Sequence, residues 1–253
     1  MGYGSLSGRG LRKATLTRPP SPPSRQIRIY APSAANPFLL DERARPGGAG
    51  WNMALDEALL MEATFPVLRV YRWETPAISF GYFLPCRAAE AVRSGRDIVR
   101  RWTGGGMVEH GEDFTWSLVV PSVEPFSRTR PVASYGVLHE ALAEALGKTG
   151  LTVEQVPASA PVPAGGLCFA TPAPGDLLVA GRKIAGAGQR RCRYGLLHQG
   201  SLCGVSLTEG FPLQLAAALA ENVLPFPPSH LPSAAAEELV NSRYGSDSWL
   251  RRC

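Results

Sequence analysis

Apolar residues return at helical spacing between Met53 and Ala63. Leu55, Ala58, Leu59 and Glu62 form one row, which predicts a helix closed by Pro66. Asn52 reads as its cap, and Asp56 and Glu57 fall near the positive end of its dipole. A longer helix through 134–150 places Leu138, Ala141, Leu142 and Ala145 on one face, with Gly147 and Gly150 near its end. A short helix through 86–94 stops at Gly95. Strands are predicted at 27–30, 67–73, 77–83, 97–101, 114–121 and 151–156. Residues 102–113 are too rich in glycine for either regular element. Residues 176–191 read as a hairpin turning at Ala180-Gly181-Arg182, and 194–203 extend the same sheet. The last fifty residues offer one or two short helices and no second core. Strands joined mainly by hairpins, with helices between them, predict an α/β chain of the α+β kind. Its mixed sheet is mainly antiparallel and flanked by helices, in one domain over 28–253.

Composition changes little in that picture, but charge adds something. The chain has 253 residues, 45% of them hydrophobic, which suffices for a sizeable core. No apolar run is long enough to span a membrane and no signal peptide opens the chain, so the expected address is cytoplasmic. The net charge of +5 is concentrated at one end. Arg9, Arg12, Lys13, Arg18, Arg25 and Arg28 lie in a stretch without acids, so the remainder is close to neutral. Residues 1–27 are rich in Ser, Pro and Gly and read as a disordered basic leader, not a nucleic-acid arm. Five cysteines without a C-x-x-C pair, and four scattered histidines, argue against a disulfide framework and against a metal site.

Two stretches carry candidate chemistry. In "RRWTGGGMVEHG", Gly104, Gly105 and Gly106 allow a ligand close to the backbone, and Arg100 and Arg101 suit a phosphate or carboxylate. His110 closes that stretch. In "GLCFATPAPGDLLVAGRKIAGAGQRR", Cys168 sits in a Gly/Pro-rich loop outside any strand interior, where partial exposure and a nearby cation would make its thiol a nucleophile. Lys183, between Gly181 and Gly186, can supply that charge if the hairpin folds back toward the loop.

Taken in order, "NMALDEALL", "SFGYF", "RRWTGGGMVEHGEDFTWSLVV", "GRKIAGAGQRR" and "LLHQGSL" resemble the biotin/lipoate protein ligase and octanoyltransferase superfamily over most of 28–253. "LCFATPAPGDLLVAGRKIAG" is most similar to the cysteine-type octanoyltransferases. The resemblance implies a fold related to class II aminoacyl-tRNA synthetases and biotin ligases. It implies octanoyl transfer from octanoyl-acyl carrier protein to a lysine of a lipoyl-domain protein, such as the glycine-cleavage H protein or a 2-oxoacid dehydrogenase subunit. Cys168 would be the nucleophile and Lys183 the site lysine. Gly186, Ala187 and Gly188 would wall the acyl tunnel, and amides near Gly104–Gly106 or the Cys168 loop would bind the oxyanion. No cofactor is expected, because a thioester already carries the activation. The alternatives are an ATP-dependent lipoate or octanoate ligase, with Arg100 and Lys183 gripping an acyl-adenylate, a transferase working between two lipoyl-domain proteins, and a non-catalytic acyl-binding homologue. The sequence departs from the family where His commonly precedes the Gly of the last motif: Gln199 stands there, and His198 lies one position earlier.

Overall fold

Alternation along the central strands divides the core between two faces of one sheet. In β6 (Phe114–Pro121), Trp116, Leu118 and Val120 pack with α3 (Pro131–Gly147) and α4 (Phe211–Leu219), whereas Val119 turns toward α1 (Ala49–Glu62). These elements belong to a computed structural model that describes residues 36–161 and 171–252. The remaining strands are β1 (Phe38–Asp41), β2 (Val67–Tyr71), β3 (Ala77–Phe80), β4 (Asp97–Arg100), β5 (Met107–His110), β7 (Glu154–Gln155), β8 (Leu177–Val179), β9 (Arg182–Cys192), β10 (Gly195–Leu202) and β11 (Leu224–Pro225). Eight strands form the large sheet in the order β11-β1-β2-β6-β10-β9-β8-β7. β1 pairs in parallel with β2 and β11, and every other pairing in this sheet is antiparallel. A small sheet, β4-β3-β5, stands apart. The mixed, mainly antiparallel architecture matches the sequence reading.

α1 is buried continuously from Asn52 to Leu60, because it runs between the large sheet, β4 and α5 (Ser233–Leu239). A helix enclosed on all sides has no polar face. The residues expected to cap it are therefore inside. The helix starts three residues before Asn52, whose amide donates instead to the Gly47 and Arg72 carbonyls. Asp56 is fully buried in mid-helix and pairs with Arg69 at 2.8 Å. The ion pair, not the helix dipole, accounts for this carboxylate.

Other boundaries shift for tertiary reasons. Met107–His110 forms a strand despite the glycines before it, because β3 offers an antiparallel partner from Ala77 to Phe80. The predicted strand at 151–156 shrinks to Glu154–Gln155, and α2 (Cys86–Glu90) ends well before Gly95. The hairpin turn is made by Ala180 and Gly181, both at positive φ (49° and 74°), while Arg182 already pairs with Val179. The C-terminal region holds three α-helices, α4, α5 and α6 (Asp247–Leu250), beyond the one or two expected. Its Phe226, Ala236, Tyr244 and Trp249 complete the core around α1. The expected leader, the strand at 27–30 and Cys168 lie outside the described residues. No helix among the described residues is long and apolar enough to cross a membrane.

Candidate active site

β9 and β10 present small residues where the sheet meets the glycine loop. Cross-strand pairing sets Gly186 opposite Ser201 and Gly188 opposite Gln199. A Cβ added at Gly188 would overlap the Gly104 carbonyl oxygen, and one at Gly81 would overlap that of Gly105. The loop can therefore lie directly on the sheet only because its neighbours are glycines. Gly105 itself has φ +102°, in the region that favours glycine.

The result is a narrow cleft, partly open to solvent, with a cavity volume of only about 20 Å³. Met53, Trp73, Val108 and Gly186–Gly188 give it apolar surface, and Ser79, Arg101, His110 and Gln199 give it polar edges. The structure thus brings Arg101, His110, Gly186, Ala187 and Gly188 to one cavity, with Gly104–Gly106 as its overhang.

Lys183 lies against Gly186, one of the residues that line the pocket. Its side chain lies across the bare backbone of Gly186: a Cβ there would come within 2.9 Å of Lys183 Cε and 3.0 Å of Nζ. The ammonium pairs with Asp176 at 2.6 Å, and both side chains are almost wholly buried. Asp176 also accepts from the Tyr135 hydroxyl (2.6 Å) and the Ala173 amide (2.6 Å). The Ala187 amide in turn donates to the Tyr135 hydroxyl (2.9 Å), which ties this network to the pocket wall. A buried cation held by a carboxylate beside a pocket is suited to stabilising an anion or exchanging a proton there.

A second network stiffens the other wall. Arg101 donates to Ser79 Oγ (2.7 Å), Ser79 Oγ meets His110 Nε2 (2.6 Å), and His110 Nδ1 meets Asp113 (2.8 Å). Asp113 also accepts from Thr115 (2.8 Å) and Ser201 (2.6 Å), and the Trp73 ring stacks on His110 at 4.0 Å. Despite burial, which raises it, the Asp113 carboxyl is held below its usual range by His110 and by these hydroxyl donors. Gln199 donates to Asp56 (2.7 Å) and accepts from Thr103 (2.8 Å), linking the buried Asp56–Arg69 pair to the glycine loop.

Arg100 requires a correction. Its Nε donates to the Trp249 and Leu250 carbonyls, Nη1 to those of Tyr82 and Leu84, and Nη2 to those of Leu250 and Arg252. All five N–H groups are engaged, so Arg100 anchors the C-terminal helix and does not grip a ligand. His198 lies on the opposite face of β10 from Gln199, fully buried against Trp116 and α3. Among the other thiols, burial and Asp113 push Cys203 up, and burial and Glu90 push Cys86 up, the wrong direction for a nucleophile. Among the described residues no group of three or more His, Cys, Asp or Glu is placed to hold a metal ion.

Asp176, Tyr135, Ser79 and Asp113 were not singled out from sequence. The hairpin register offered a hint for Asp176, but the register shift at Leu177/Leu178 obscures it.

Residues 49–215 match the family described as lipoyl protein ligase A/B catalytic domain. The octanoyltransferase LipM of Kyrpidia tusciae is 34% identical over 172 residues, 62% of this chain and 62% of its own length. That of Geobacillus kaustophilus is 36% identical over 167 residues, 60% of each chain. The chain thus spans about three fifths of the length of these relatives. In fold it is similar to a lipoate-protein ligase A solved with ATP, at 18% identity, covering 86% of this chain and 98% of that one with a TM-score of 0.65. The bipartite lipoate protein ligase of Thermoplasma acidophilum aligns at 20% identity over 86% of this chain and 96% of that one, with a TM-score of 0.57.

Proposed function

Since the chain belongs to the lipoyl protein ligase A/B catalytic-domain family, we propose that it is an octanoyltransferase. It moves octanoyl from octanoyl-acyl carrier protein to a lysine of a lipoyl-domain protein through a thioester on Cys168. The observation that carries this reading is the buried Lys183–Asp176 pair laid across Gly186, a residue of the glycine-walled pocket. Likeness to relatives named octanoyltransferase adds to it.

In the first step, the Cys168 thiolate attacks the donor thioester carbonyl. A new C–S bond forms to Cys168, the C–S bond to the carrier breaks, and the carrier thiolate takes a proton from Lys183. In the second step, the acceptor amine attacks the Cys168 thioester, an amide forms, the C–S bond breaks, and the amine's proton returns to Lys183. A thioester suits both steps because it remains activated toward an amine. Asp176 keeps the Lys183 ammonium beside the reacting carbonyl, where each charge-stabilising donor contributes about 3–4 kcal/mol in sites of this kind. The thioester supplies the activation, so this reading calls for neither ATP nor a metal.

The test is to mix the protein with octanoyl-carrier protein in the absence of ATP and measure its intact mass. One added octanoyl group, mapped to Cys168 and absent in Cys168→Ser, is expected. Transfer that survives Cys168→Ser, or that requires ATP and passes through an adenylate, would overturn the covalent route in favour of a ligase.

A further inference from the structure

Beyond the glycine loop, three arginines lie over three aromatic rings. Arg190 sits 5.1 Å from the Tyr82 ring centre and 4.9 Å from that of Trp102. Arg252 sits 4.6 Å from Tyr82 and 5.6 Å from Trp249, and Arg243 sits 4.9 Å from Trp249 and 5.7 Å from Trp102. The rings themselves touch, with Tyr82 and Trp249 at 5.7 Å. Phe83, next to Tyr82 at 5.0 Å, is 82% exposed.

This cluster is continuous with the pocket. Trp102 leads into the glycine loop, and the Tyr82 amide donates to the Thr103 carbonyl (2.9 Å). Arg190 stands on the same face of β9 as Gly186 and Gly188, two residues beyond the latter. The charges are also uncompensated. Arg243 is paired with the buried Glu57, but neither Arg190 nor Arg252 has an acidic partner among the described residues. An overall basic composition does not explain this, since outside the leader the chain is nearly neutral. Guanidinium planes resting on aromatic faces are held at little entropic cost and suit contact with carboxylates through their Nη groups; the Nε of Arg190 is itself buried.

We propose that the Arg190/Arg252 patch over Tyr82, Trp102 and Trp249 docks an acidic face of the donor carrier protein, with Phe83 as an apolar anchor. This rests on the octanoyl-transfer reading, because it presumes that the acyl group arrives on a protein. Carboxylates on that protein meet the Arg190 and Arg252 guanidiniums, and the thioester then enters beside the glycine loop. Charge complementarity of this kind raises encounter rate and orients the partner.

The test measures binding and chemistry separately. Binding of fluorescently labelled acyl carrier protein is followed by anisotropy at low and physiological salt for the unaltered chain, Arg190→Glu and Arg252→Glu. Acyl-enzyme formation is followed with octanoyl on the carrier and with octanoyl-N-acetylcysteamine, a small thioester lacking the protein. Each reversal is expected to weaken carrier binding about tenfold and to flatten its salt dependence. It should raise KM for the carrier-bound donor by a similar factor and leave the small thioester unaffected. Arg252, two residues beyond the end of α6, keeps the test valid should Arg190→Glu disturb β9. Unchanged carrier binding in both variants would overturn the proposal, as would equal losses with both thioesters or equally tight competition by duplex DNA. Carrier binding that depends on the patch, without acylation of Cys168, would count against octanoyl transfer and leave the docking surface standing.

Discussion

Lowering the pH from about 7.5 to 5 should weaken the fold by way of His139. This side chain is fully buried on α3, its Nδ1–H donating to the Gly175 carbonyl (2.8 Å) and its Nε2 without a hydrogen-bond partner among the described residues. Burial is the main reason its pKa falls from 6.5 to about 4; the Lys183 charge adds to the fall, while Asp176 and the Gly175 bond oppose it. Because the folded value lies below the unfolded one, the unfolded chain binds more protons between them. The stabilisation is complete above pH 6.5 and is lost as pH falls toward 4. At pH 5 the imbalance costs about 2 kcal/mol, rising to about 3 kcal/mol at pH 4. His198 is pushed down by the same burial, and by His139 and Arg191, so its contribution has the same sign. The carboxylates of Asp113 and Asp41 are held below 3.8 and stay silent in this window. Urea denaturation at the two pH values, on the unaltered chain and on His139→Asn, gives the comparison. Asparagine preserves a donor for Gly175 but does not titrate. The unaltered chain should lose at least about 2 kcal/mol, and the variant about 2 kcal/mol less than that. Equal losses in both proteins, or no loss in the unaltered chain, would refute the reasoning.

Three other outcomes follow from the site. Gly188→Ala drives a methyl group into the Gly104 carbonyl; it should cost about 1–3 kcal/mol in thermal or chemical denaturation and close the pocket to octanoyl. Full stability would show that the loop does not rest on β9. Lys183→Ala leaves Asp176 buried without its cation, a loss of about 3–5 kcal/mol, and should reduce transfer far more than Cys192→Ala or Cys203→Ala. Adding Asp176→Asn should recover stability but not transfer; recovery of both would remove Lys183 from the chemistry. Arg100→Lys cannot reproduce the carbonyl contacts of the guanidinium, so it should lower the melting temperature while transfer per folded molecule stays unchanged. A selective rise in KM would return Arg100 to the binding site.

Much of the fold was legible because its signals are local. The α3 row of Leu138, Ala141, Leu142 and Ala145 is buried as its spacing predicted. Glycine in "GGG" and "GRKIAGAG" was read as room for a ligand beside the backbone; at Gly188 that room is taken instead by the Gly104 carbonyl, backbone against backbone. Lys183 was found from its place among glycines. Arg100 and Arg101 were indistinguishable as adjacent letters, but strand alternation sends one to the C-terminal carbonyls and the other to Ser79 and the glycine loop.

The sequence by itself determined most of the element types, the two glycine-rich segments and the lysine within the second, since propensity and periodicity act over a few residues. Tertiary structure alone decided which polar groups became partners: Asp176 and Tyr135 for Lys183, Asp113 and Ser79 for His110, Asp56 and Thr103 for Gln199. The physical reason is desolvation. A buried charge or hydroxyl must find a complementary group wherever the fold brings one, and that group can lie anywhere along the chain.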